Sequence, residues 1–155
     1  MRALLQRVSR ADVRIEGESG ASIGSGLLVR LGGGPADDDW VASGLAAKVA
    51  GLRVFADAEG LTNLSLSEVG GSALVVSQFT LFADARRGRR PSFIRAAGPI
   101  VGERLYEVFC EILASTGVPV AQGRFGADMA VELVNDGPFT IWLDSDELGI
   151  APKTT

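Results

Sequence analysis

Histidine is absent from all 155 residues. That absence excludes a Ser-His-Asp triad, a Cys-His pair and a histidine general base. Cysteine is nearly absent too. Cys110 stands alone, so no disulfide can close within the chain, and it falls in an apolar helical stretch that suits a small buried hydrophobe. With one thiol and no imidazole, neither a zinc site nor any other metal or cofactor is expected. Any catalysis must fall to carboxylates, hydroxyls, backbone groups or the substrate itself. Long apolar runs are also missing, none reaching the about 18 residues of a membrane span. The opening Met1–Val8 carries Arg2 and Arg7 but no apolar signal segment. The expectation is a soluble, cytoplasmic protein with no membrane partner.

What is present is apolar matter and glycine. Hydrophobic residues make up 46% of the chain, enough to build one core, and the 20 glycines are roughly twice the usual share. Paired glycines such as Gly32-Gly33-Gly34 and Gly70-Gly71 mark tight turns between short elements. Alternation over Val13–Glu16 and the apolar runs Leu27–Leu31 and Leu74–Ser77 predict strands, and Arg53–Ala56 predicts a short one. Asp37, Asp38 and Asp39 open a helix whose stripe is Val41, Leu45, Val49 and Leu52. A second helix runs from about Ile100 to Thr116. Its stripe is Val101, Leu105, Val108, Phe109 and Ile112, its wet face Glu103, Glu107 and Glu111, and its stop Gly117. Met129–Val134 and Phe139–Leu143 read as two strands joined by the turn Asn135-Asp136-Gly137-Pro138. The expected fold class is α/β, of the mixed α+β kind. It is a single compact domain over residues 1–148, with a largely antiparallel β-sheet or barrel, two main helices and a loose tail over 149–155.

Four segments can carry chemistry. Ser77-Gln78-Phe79-Thr80 ends a buried strand, where side chains are held rigidly beside open space; taken alone, ordinary Ser and Thr capping of a strand end is the favoured reading. Net charge is −4, yet Arg86, Arg87, Arg89, Arg90 and Arg95 form an acid-free basic stretch that suits phosphate contacts, or merely a solvated loop. Gly123-Arg124-Phe125-Gly126 places a cation beside an aromatic, as base stacking or a core turn would require. Asn135–Pro138 is a turn by composition, and few X-Pro bonds are cis, so a trans bond is expected there from the residues alone. Gly32-Gly33-Gly34 lacks the Gly-Lys-Ser/Thr continuation of a nucleotide loop.

Taken together, these segments resemble one family. Ser77-Gln78-Phe79-Thr80-Leu81, Gly88-Arg89-Arg90-Pro91-Ser92-Phe93, Gly123 to Met129 and Asn135-Asp136-Gly137-Pro138-Phe139-Thr140 stand in the order found in D-aminoacyl-tRNA deacylases. Met1–Val8 and Asn63-Leu64-Ser65-Leu66 are similar to that family as well, and the likeness extends to about Glu147. The sequence departs from the family at Leu61-Thr62, Phe82 and Gln122, all outside the hallmark segments.

The resemblance implies a homodimer that hydrolyses the ester of D-aminoacyl-tRNA, and of glycyl-tRNA, releasing the amino acid and tRNA. It implies a site floored by Ser77, Gln78, Phe79 and Thr80, with the Phe79 and Thr80 amides stabilising the oxyanion and the Thr80 side chain available. A cis Gly137–Pro138 bond, braced by Arg7 and flanked by Asn135 and Thr140, is implied to reach in from the partner as a chirality filter. Phe125 and Met129 correspond to an adenine pocket, and Arg86, Arg87, Arg89 and Arg90 would meet tRNA phosphates. Two other functions fit the same residues. One is an acyl-ester hydrolase using Ser77 or Thr80 as covalent nucleophile, the other a non-catalytic RNA-binding module.

Overall fold

A computed structural model describes residues 1–153; residues 154 and 155 of the expected tail lie outside the described residues. The first element, β1 (Arg2–Ile15), is far longer than the alternation over Val13–Glu16 suggested. The pattern was hidden by a change of phase. Ala3 and Leu5 are buried, then Val8, Ala11 and Val13, so the two-residue period breaks between Leu5 and Val8. At that place the pairing with the last strand slips.

β1 pairs antiparallel with β2 (Glu18–Ile23), β3 (Gly26–Gly32) and β8 (Met129–Asp144). β3 then pairs in parallel with β6 (Ser72–Ser77), and β6 with β7 (Val120–Gln122). The sheet is mostly antiparallel and curls into a nearly closed barrel. One core lies inside the curl, on Val8, Val13, Leu28, Leu74 and Val76. The other lies beneath the helices and takes the alternate residues Leu27, Val29, Ala73 and Val75. β3 and β6 are therefore buried on both faces, which is why each reads as an unbroken apolar run. A small hairpin, β4 (Phe55–Ala56) with β5 (Thr62–Leu64), stands apart.

α1 (Asp39–Gly51) makes the β3-to-β6 crossover and α2 (Pro99–Ser115) the β6-to-β7 crossover. Asp38 caps α1 by accepting from the Val41 amide at 3.0 Å. α2 buries Leu105, Tyr106, Phe109, Cys110 and Leu113. Val101, expected in that stripe, is 41% exposed, because it borders an open groove beside Trp40 and Arg104. Burial also pushes the Cys110 thiol up to about 12, as suits a packing residue.

The turn expected between two C-terminal strands is instead a bulge within one strand. Gln6 faces Thr140 and Val8 faces Asn135, so Asp136–Phe139 loop out opposite Arg7 alone while both flanks stay paired to β1. Proline lacks the amide that a ladder needs, and a bulge excuses it. The Gly137–Pro138 bond is cis, which corrects the trans bond expected from composition and agrees with the family resemblance.

One close approach sets the β3–β6 spacing. A Cβ on Gly26 would sit 1.8 Å from the Ser72 carbonyl oxygen. Gly26→Ala should therefore destabilise the fold by about 3 kcal/mol or more, since backbone and not a flexible side chain is in the way. Thermal unfolding monitored by circular dichroism measures this; a Tm equal to that of the unaltered protein contradicts it.

Candidate active-site cleft

β6 delivers Ser77 to the rim of the sheet, where the Gln78 amide donates to the Leu31 carbonyl at 2.7 Å and ends the ladder. The chain then tightens into a 3₁₀ turn, Phe79–Phe82. The opening amides of such a turn have no internal acceptor, and those of Phe79 and Thr80 have none among the described residues. Phe79 is 57% exposed and meets Phe93 edge-on, with ring centroids 5.2 Å apart.

Beside this turn lies a cleft of about 560 Å³. Ser77, Gln78 and Phe79 form one wall, and Phe125 and Met129 another. Two sequence segments nearly fifty residues apart thus meet around one space. Tyr106 lies beneath it, buried, its hydroxyl donating to the Val75 carbonyl at 2.8 Å, and burial drives its phenol far above the ordinary tyrosine range. It holds β6 in place as a neutral group.

Sequence reading missed part of this cleft. Tyr106 was passed over beside Leu105, and Ala96-Ala97-Gly98-Pro99, which also line the space, carry no motif. Gly32 and Gly33 line it too, for a reason unrelated to nucleotide loops. A Cβ on Gly33 would lie 2.8 Å from Leu105 Cδ1, and one on Gly32 2.8 Å from the Gln78 carbonyl oxygen. They are small so that α2 and the Gln78 backbone can approach.

The side chains at the turn are linked. Arg30 Nη1 donates to Gln78 Oε1 at 3.1 Å, and Gln78 Nε2 donates to Thr80 Oγ1. The Thr80 hydroxyl is exposed, and no carboxylate or amine that could take its proton is bonded to it among the described residues.

Gly137 and Pro138 do not line the cleft of their own chain. They form an exposed prominence whose base is braced. Arg7 Nη1 donates to the Val54 carbonyl at 2.7 Å, and its guanidinium lies 4.7 Å from the Phe139 ring centroid. Arg7 Nε is 3.3 Å from Asp136 Oδ2, an ion-pair contact that lacks hydrogen-bond alignment and leaves that buried N–H without an acceptor among the described residues. Asn135 Nδ2 donates to the Arg7 and Phe139 carbonyls at 2.9 and 3.1 Å, tying both ends of the bulge. The Thr140 hydroxyl donates to Asn135 Oδ1 at 3.4 Å. The six hallmark residues of this segment therefore build one rigid projection.

The arginine stretch divides. Arg86 is occupied by Asp84, with Nε–Oδ1 at 2.8 Å and Nη2–Oδ2 at 2.6 Å, and this fork holds the Asp84 carboxyl far below the usual carboxylate range. Arg87, Arg89 and Arg90 are exposed and have no ion pair among the described residues.

Comparison with known proteins identifies the family. The family model described as D-Tyr-tRNA(Tyr) deacylase matches residues 4–144. A D-aminoacyl-tRNA deacylase of Dinoroseobacter shibae is 60% identical over 93% of this chain and 99% of its own. One of Thermomicrobium roseum is 59% identical over 96% of each. Among solved structures, a c-Myc DNA unwinding element binding protein superposes with a TM-score of 0.87 at 38% identity, covering 93% of this chain and 98% of its own. With a family match across nearly all of β1 to β8, and relatives of this identity over almost full length, the chain belongs to the D-Tyr-tRNA(Tyr) deacylase family, hydrolases that act on aminoacyl-tRNA.

Proposed function

We propose that the cleft takes the aminoacylated 3′ end of tRNA, that water there cleaves the ester of a D-amino acid, and that a second copy of the chain completes the site. The observation that carries the reading is the meeting of Ser77, Gln78 and Phe79 with Phe125 and Met129 around one space. An apolar wall of Phe125 and Met129 suits a purine, because stacking needs no hydrogen-bond code. The free amides of Phe79 and Thr80 suit a developing oxyanion, and each such donor is typically worth about 10²–10³ in rate.

The braced projection of Gly137-Pro138 serves the other subunit. It is exposed and off its own cleft, so it is free to enter the cleft of a second copy. Carbonyl oxygens presented by that projection would receive the substrate α-amino group and fill the direction in which an L side chain leaves. A D side chain points outward and is not inspected, so many D-amino acids are accepted. Glycine has nothing to exclude, so glycyl-tRNA is also a substrate. Purified protein given D-tyrosyl-tRNA should release free D-tyrosine. Charged tRNA that survives as long with the protein as in buffer alone refutes the reading, and binding without release assigns the chain to RNA-binding modules instead.

Arg87, Arg89 and Arg90 would meet acceptor-stem phosphates, with Arg86 already engaged by Asp84 and so a weaker contributor. Such contacts ignore tRNA identity and weaken with salt. Arg87→Ala with Arg89→Ala should flatten the log–log salt dependence of tRNA binding by roughly 0.7–0.9 per lost contact. An unchanged slope returns the stretch to a solvated loop.

A further inference from the structure

Arg30 is a half-buried cation on β3 without a carboxylate partner among the described residues. Its neighbours on β3 are explained: Leu28 fills the core inside the curl, and Val29 and Leu31 the core beneath the helices. Strand alternation puts Arg30 on the same face as Leu28, where burial draws its pKa below the ordinary guanidinium value. An apolar residue would cost less there. What the arginine does make is the 3.1 Å hydrogen bond to Gln78 Oε1.

That bond fixes the sense of everything after it. Arginine has only donors, so the Gln78 oxygen must face it and the Gln78 NH2 must face Thr80. The Thr80 oxygen then accepts from Gln78 Nε2, and its own proton has to point away from Gln78, where the exposed Thr80 leaves it free to donate to solvent or a bound molecule. Without Arg30, the Gln78 amide can turn over. Its oxygen would then accept the Thr80 proton, and the hydroxyl would be withdrawn from any bound water or ester.

We propose that Arg30 is a positioning residue for the deacylation reaction: through Gln78 it holds the Thr80 hydroxyl as a hydrogen-bond donor toward the reacting groups. The proposal rests on the cleft's being the deacylase site. It assigns Arg30 no contact with substrate, and Thr80 no covalent bond. One hydrogen-bond donor to water or ester is expected to be worth about tenfold, near the upper end for a single neutral hydrogen bond.

The test compares Arg30→Met, Arg30→Lys, Gln78→Ala and the double variant Arg30→Met/Gln78→Ala by steady-state deacylation of D-tyrosyl-tRNA. Arg30→Met should lower kcat by about tenfold with KM little changed, and Arg30→Lys, which still donates to Oε1, should recover most of it. The double variant should be no slower than Gln78→Ala, because both remove the same relay. A kcat for Arg30→Met equal to that of the unaltered protein, or losses that multiply in the double variant, overturns the proposal. A readout independent of turnover accompanies these. The Gln78 side-chain amide protons should shift in the NMR spectrum of Arg30→Met and stay in place in Arg10→Met, whose arginine pairs with Glu132 on the surface. Unmoved Gln78 resonances overturn the relay whatever the activity. An unaltered protein that leaves D-tyrosyl-tRNA intact overturns the deacylase reading, and the spectrum still decides the relay.

Discussion

D-Tyrosyl-tRNA should be hydrolysed about 10²-fold or more faster than L-tyrosyl-tRNA. Apolar pockets discriminate poorly between isomers of the same surface, and a well-placed clash discriminates strongly. Most residues around the cleft are apolar or small, among them Phe125, Met129, Gly33 and Ala97, so shape-blind apolar contact dominates and discriminates weakly. The rigid element suited to a clash is the Asp136–Phe139 bulge, pinned by Asn135 across its ends and by Arg7 beneath. Arg7→Ala should loosen this projection, removing the bond to the Val54 carbonyl and the cation over Phe139. The loss should appear as a smaller D-to-L ratio rather than a uniform fall in both rates. Matched tyrosyl-tRNAs and initial-rate assays measure this. Equal rates on the two enantiomers with the unaltered protein would sink the exclusion model, whatever the absolute activity.

A substrate ending in 2′-deoxyadenosine should react about 10²-fold or more slowly than its ribo counterpart, whereas Thr80→Ala should cost only about tenfold. The chain has no histidine, and the Thr80 oxygen is already accepting from Gln78. An oxygen with an engaged lone pair and no base for its proton is a poor nucleophile. The amides of Phe79 and Thr80 survive the alanine change, so the oxyanion stabilisation proposed for them would persist. The ribose 2′-hydroxyl adjoins the ester in any bound pose and is placed to activate water without help from a protein base. On this proposal the substrate would provide what the protein lacks. A folded Thr80→Ala protein that still binds tRNA but loses about 10⁴-fold or more, with the deoxy substrate reacting normally, would instead make Thr80 the nucleophile.

Much of the fold was legible because burial and chain direction are local patterns. α1 and α2 were placed within a residue or two by Asp37–Asp39, Gly117 and their apolar stripes, and β3 and β6 by short apolar runs that fit strands covered on both faces. β1 was cut short because the slip at Gln6–Val8 breaks its alternation. β8 was split because Gly137-Pro138 has the composition of a turn whichever side its flanks pair on. β2, β5 and β7 were missed, the first too exposed and the other two too short to show a pattern.

The sequence by itself determined the family, through four hallmark segments in fixed order, and it determined the chemistry that is out of reach, because a residue type that is absent cannot be supplied by folding. Tertiary structure alone decided which of those segments share a space. Ser77–Phe79 and Phe125–Met129 meet because β6 and β7 are parallel neighbours, joined through α2, and no spacing along the chain announces that. It also decided that Gly137-Pro138 stands off its own cleft, that Arg86 is claimed by Asp84 while Arg87, Arg89 and Arg90 stay free of ion pairs among the described residues, and that Arg30 bonds Gln78. The physical reason is the same in each case. Identity and pattern are written residue by residue, whereas hydrogen bonds and cavities depend on distances across strands that only pairing and packing set.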